Sequence, residues 1–141
     1  MRMIEKGAWV IGVIAACATS ACDDGGDDGR TTIEVKGSWT SEFGDEDITE
    51  THWNGFCVQA IARFDNDDNV AVLETLSGDG CGTGFSRVVW LEPAGDTFHY
   101  CVTAFGAESA DAAAGAPEVG IDRAALTTGC SGFGWSKLTR R

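Results

Sequence analysis

The chain has two histidines, His52 and His99, the side chains that titrate nearest to neutral pH, and each needs partners before it can do chemistry. A general base must reach a nucleophile, and a bound metal usually takes three or more ligands. Neither histidine sits in such a pattern. Ser86, in GFSRV, lacks the second glycine of a nucleophile elbow. The run DNDDN, from Asp65 to Asn69, begins like a calcium loop, with oxygen donors in the first, third and fifth places. It then fails, because Val70 stands where glycine is required and Leu76 where a bidentate glutamate belongs. A polar hairpin turn is the expected role. The glycine-rich SGDGCGTG, residues 77–84, is followed by the strand-like FSRVVWL, whereas a phosphate loop opens a helix with a lysine nearby. It reads as a loop that lets Cys81 reach a partner. Arg63 and Arg87 stand in apolar segments, with Glu74 on the segment between. They are the one polar set that could orient a ligand inside a fold, although arginine stems also lie along a surface with the head in water. No catalytic, cofactor-binding or metal-ligating set is complete, so no cofactor is expected and the chain reads as non-enzymatic. An enzyme of unrecognised type using His52 or His99 is the alternative.

The six cysteines set the compartment. The start MRMIEKGAWVIGVIAACATSAC places Arg2 and Lys6 before an apolar run from Gly7 to Ala16, which is the layout of an export signal and too short to span a bilayer. Ile14-Ala15-Ala16-Cys17 resembles the lipobox of bacterial lipoproteins, and Thr19-Ser20-Ala21-Cys22 is a looser match. The aliphatic residue three places before the cysteine favours Cys17 as the lipidated residue. Cysteine pairing favours Cys22, which is left as an odd thiol if Cys17 carries the lipid. A cleaved signal without lipid, giving a secreted protein, is the plainer alternative. The expected organisation is an export signal at 1–16 (to 21 if Cys22 is lipidated), an acidic Gly/Asp tether at 17–32 and a β domain at 33–141. In an oxidising compartment Cys57, Cys81, Cys101 and Cys130 read as two disulfides. The formal net charge of −12 repels phosphate backbones and excludes nucleic acid as a natural partner.

These side chains must be held by strands, because two-residue alternation dominates from Val35 onward. VKGSWTSEF puts Val35, Gly37, Trp39, Ser41 and Phe43 on one face. FGDED reads as a turn and DITETHW as a second, mostly polar strand. GFCVQAIARF with NVAVLETL, and GFSRVVWLE with DTFHYCVTAF, read as two hairpins, the second joined through Pro93-Ala94-Gly95-Asp96. ESADAAAGAP breaks the alternation as a short helix, Asp122 caps a further turn closed by Gly129, and FGWSKL returns to a strand. The fold class expected is mainly β, an antiparallel meander curling into a small barrel or strongly bent sheet, with a short helical insertion before the last strand. A lumen would be lined by Trp39, Trp90 and Trp135. In GCSGFGWSKL, Phe133 and Trp135 are expected to bury area for the closing strand, and Lys137 shares their face without a partner that would make it reactive.

Gly37-Ser38-Trp39 on the first strand resembles the opening motif of lipocalin-like and avidin-like barrels. The longer set GSWTSEFGDEDIT, FDND, FSRVVW, FHYCVTAF and GCSGFGWSKL, over residues 33–138, resembles a family of small exported bacterial domains, often lipoproteins, without an assigned activity. Ser86, Arg87 and Trp90 match its Ser-Arg-x-x-Trp strand, and Cys101 and Cys130 match its recurring cysteines. The resemblance implies a Cys101 to Cys130 bond, leaving Cys57 with Cys81. Gly134 stands where many members carry proline. The leader, the tether, the two disulfides and the lack of a complete catalytic set point to a lipid-anchored protein of the cell envelope with a binding or interaction role. Its partners would be the membrane through the N-terminal lipid, and either an envelope protein or a small apolar ligand, the latter in a lipocalin-like barrel.

Overall fold

Strands whose faces alternate between apolar and polar bury one face only by curling until that face is enclosed, and this chain does so completely. In the computed structural model, which describes residues 32–141, eight antiparallel strands pair in sequence order and the last closes on the first. They are β1 (Gly37–Ser41), β2 (Gly44–Ile48), β3 (His52–Asn54), β4 (Val58–Asp65), β5 (Val70–Ser77), β6 (Phe85–Trp90), β7 (Thr97–Ala107) and β8 (Ser136–Arg140). The mainly β meander with a helix before its last strand is therefore present, in its closed-barrel form. That helix, α1 (Ala110–Ala114), is capped by Ser109, whose hydroxyl accepts from the Ala112 amide at 3.1 Å. The leader, Cys17, Cys22 and nearly all of the expected tether lie outside the described residues.

Three sequence expectations change in detail. The stretch 47–53 is not one strand but the end of β2, a bend and β3. Val35 does not continue β1; with Ile33 it folds across one end of the barrel, where both are fully buried. β4 does not alternate strictly. Its pairing with β5 shifts between Ile61 and Arg63, so Ile61 and Phe64 both face inward and Arg63 is turned outward.

One end of the barrel is solid. Trp39, Trp90, Phe98 and Leu138 fill it with Ile33 and Val35, and the Trp39 and Phe98 rings meet edge to face with centroids 4.7 Å apart. Hydrogen bonds fix this plug in place. Trp39 Nε1 donates to the Val35 carbonyl at 2.9 Å, Trp90 Nε1 to Glu34, and buried Asn66 accepts from the Glu34 amide at 3.0 Å while donating to the Thr32 carbonyl at 3.1 Å. DNDDN is thus the polar turn expected, with Asp65 Oδ1 accepting from the Asp67 and Asp68 amides. It is also the clasp of the plug. Below Trp39 the Arg140 guanidinium lies 4.2 Å from the ring centroid, next to Gly37.

Outside the barrel, the segment after α1 folds onto β6 and β7. Trp135 packs there with Val89 and Cys101, its Nε1 donating to the Asp122 carbonyl at 3.1 Å. Cys101 is bonded to Cys130, and Cys57 to Cys81, the pairing that the family resemblance implies. Phe133 contradicts its expected burial, because the bridge that pairs it with Cys130 leaves its ring 76% exposed. Leu138, on the opposite face of the closing strand, supplies the inward side chain instead.

Two stability outcomes follow from this packing. Gly37 has φ +148°, and a Cβ there runs into the Arg140 guanidinium. Gly37→Ala is expected to lower unfolding free energy by about 2 kcal/mol in urea titrations. Replacing Cys101 and Cys130 together with alanine frees a segment of 29 residues and should remove about 3 kcal/mol.

Candidate functional site

An eight-stranded barrel has an interior that side chains can just fill, or that can hold one small ligand. Because the bulky residues crowd the plugged end, the other end is empty. A cavity of about 600 Å³ opens there between the β1–β2, β3–β4 and β5–β6 turns. Leu73, Val88 and Val102 form apolar walls, with Gln59, Thr75 and Ser86 among them. At the rim stand Phe43, Phe56 and Phe105, which are 70%, 75% and 77% exposed. The Cys57 to Cys81 bond ties the β3–β4 turn to the β5–β6 loop across this mouth. SGDGCGTG therefore carries Cys81 to its partner, as expected of it.

Deep in the cavity lies Glu46 of β2, a carboxyl only 7% exposed. Its Oε2 accepts from Trp53 Nε1 of β3 at 2.7 Å, and its Oε1 accepts from the Tyr100 hydroxyl of β7 at 3.1 Å. The Trp53 and Tyr100 rings meet edge to face, 5.3 Å between centroids. Gly55 leaves room for the glutamate, since a Cβ at that position would come within 2.7 Å of Glu46 Cγ. Burial raises the Glu46 carboxyl above its ordinary pKa, against the smaller opposing pull of the hydrogen bonds from Trp53 and then Tyr100. Burial, followed by the charge and hydrogen bond of Glu46, pushes the Tyr100 phenol far upward, so it stays protonated.

The residues singled out in the sequence lie elsewhere. Arg63 and Arg87 flank Val72 on the outer face, where α1 packs, and their carboxylate partners are Asp111 at 2.6 Å and Glu118 at 3.0 Å. Glu74 is exposed on the same outer side, so Arg63, Glu74 and Arg87 do not form a set that faces a ligand. The bulge in β4 is the cause for Arg63. His52 and His99 are half-buried on outer faces; Thr51 Oγ1 lies 2.8 Å from His52 Nδ1, and His99 stands opposite Lys137. Burial, then the Lys137 charge, lowers the His99 pKa. Of the three tryptophans expected around a lumen, Trp39 and Trp90 belong to the solid plug and Trp135 lies outside, because Leu138 rather than Trp135 occupies the inward face. Trp53 lines the cavity in their place. Among the described residues, no three histidine, cysteine or carboxylate groups converge as a metal site.

Sequence reasoning missed Glu46, which fell in the FGDED stretch read as a turn. Its signal was present: Glu46 and Ile48 alternate with Asp45 and Asp47, as inward and outward residues of a strand must. Comparison of the chain with protein-family models, curated proteins and solved structures finds no match.

The buried carboxyl has a measurable cost. A group whose pKa is raised by folding adds stability at low pH and loses it as pH rises through the raised value. In Glu46→Gln the amide can still accept from Trp53 and donate to Tyr100. Relative to the parent, the variant should gain stability as the pH rises from 4 to 7, read from urea midpoints at both values. A difference that stays flat with pH would mean that burial does not tax this carboxyl.

Proposed function

We propose that the protein is a non-enzymatic binding barrel of the cell envelope that takes one small, largely apolar ligand with a polar end. The observation that carries this reading is the cavity itself, about 600 Å³, walled by apolar side chains with hydrogen-bonding groups deep inside and closed at the far end by a packed plug. Ligand pockets commonly have this size and this mixture of lining. The reading is further supported by the placement of His52 and His99 outside the cavity, away from the place where a substrate would sit.

Export and lipid attachment, at Cys17 with Cys22 as the alternative, would tether the barrel. The described chain enters at the plug through Thr32 and Ile33, whereas the mouth lies at the other end. A tether from residue 32 therefore leaves the mouth free to face away from its attachment.

Trp53 in the cavity supplies an intrinsic reporter. Titration with small amphiphiles should change tryptophan fluorescence, and Val102→Trp, which fills the cavity from the β7 wall, should weaken binding at least tenfold while leaving the circular dichroism of the barrel intact. Binding that survives the filled cavity would place the ligand elsewhere. Labelled palmitate should enter the exported protein and be lost in Cys17→Ser or Cys22→Ser; retention in both variants would remove the lipid anchor.

A further inference from the structure

Resting on that binding reading, we infer that the ligand's polar end is a cation: the cavity is a site for an amphipathic organic amine or ammonium group, seated against Glu46 beside Trp53 and Tyr100. Four features of the site lead there. Both oxygens of the buried carboxylate already accept from neutral donors, Trp53 Nε1 at 2.7 Å and Tyr100 Oη at 3.1 Å, an arrangement suited to the ionised form. Those donors supply dipoles but no positive charge. Among the described residues lining the cavity there is no lysine, arginine or histidine, and the other carboxylate there, Asp45, is paired with Arg141. Arg141 is engaged on the outer face of β2, bonded to Asp45 at 2.8 Å and Asp47 at 2.9 Å.

The buried charge is therefore one that the barrel solvates and does not neutralise, and a buried ion without a counter-ion is costly. A ligand cation supplies the missing charge, and an anionic head group would meet repulsion in a medium that screens it poorly. The two aromatic rings add to the preference, since a cation gains from the electron-rich faces of tryptophan and tyrosine. The site is also held ready: Gly55 admits the Glu46 side chain, and the two donors come from separate strands. At longer range the formal net charge of −12 favours the approach of cations over anions to the protein as a whole. The ligand's apolar body is matched by Leu73, Val88 and Val102 above the carboxylate.

The test uses three probes of equal chain length, n-octylamine, n-octanol and octanoate, titrated into the protein at neutral pH with tryptophan fluorescence as readout. The amine is expected to bind at least tenfold more tightly than the alcohol, and octanoate more weakly than either. Glu46→Gln should remove the amine's tenfold advantage over the alcohol. The comparison on the parent protein needs no variant to fold. Lowering the pH supplies a second check: amine affinity should fall as Glu46 takes up a proton, while that of the alcohol holds. The groups facing Glu46 are neutral Trp53 from β3 and protonated Tyr100 from β7; Asp45 lies at the rim, bonded to Arg141. Val102→Trp must abolish amine binding, because attraction to the acidic outer surface alone would survive it. Equal binding of amine and octanoate, or an unchanged preference in Glu46→Gln, overturns the cation assignment and leaves the binding barrel standing. Failure of all three probes overturns both.

Discussion

The structure depends on a constraint of volume. The lumen of a closed eight-stranded barrel must be filled by side chains or left for something else. Here Trp39, Trp90 and Phe98 are crowded at one end, together with Ile33 and Val35 from the segment that precedes β1, while Trp53 and Tyr100 stand beside the cavity. The side chains at that end are fully buried, and Asn66 and the two indole N–H groups satisfy backbone and carboxylate groups there. The lining toward the other end includes the smaller side chains of Leu73, Val88, Val102, Thr75 and Ser86, and a cavity remains there. Stability and cavity are thus two results of one uneven distribution of side-chain volume. The plug holds the barrel closed so that the mouth can stay open.

Into that open end the fold places a single buried carboxyl, and its surroundings separate structural from functional explanations. A glutamate kept only to satisfy Trp53 and Tyr100 could be replaced by a neutral acceptor without the desolvation that lifts its pKa. A buried charge also adds nothing to folding that apolar packing could not supply. What a carboxylate offers that an amide does not is a full negative charge, held by two donors and facing an apolar chamber. The expense is reasonable if the charge is completed by a guest.

Much of the architecture was legible because period-two alternation is strong where strands are half-buried. DTFHYCVTAF and its hairpin partner read directly as strands, and in β7 Phe98, Tyr100 and Val102 face the core with His99 and Cys101 opposite. The helix at 110–114 was visible from its alanines and the stop at Gly115, and the structure adds the Ser109 cap. Two kinds of information were not legible. Alternation separates faces without saying which one is inward, so Trp135 was assigned to a lumen that Leu138 occupies. A bulge also resets the count, and one in β4 turned Arg63 outward to Asp111. Glu46 was hidden for a third reason: acidic residues and Gly44 resemble turn chemistry, and the tertiary context of a barrel wall overrode that local preference.

The rim carries a tension that the rest of the molecule helps to resolve. Three exposed phenylalanines around one opening form an apolar collar of the kind that usually marks a binding surface or an aggregation hazard. The high negative charge opposes self-association by keeping copies apart. The Cys57 to Cys81 bond limits how far two of the three turns around the mouth can spread, so Phe56 is held at the edge of the opening. Ordering that is already built into the free protein need not be supplied at binding, which favours affinity for a small guest. With an amphiphilic guest of the kind proposed, the collar would extend the apolar walls past the strand ends and cover the part of its chain that the barrel is too short to enclose.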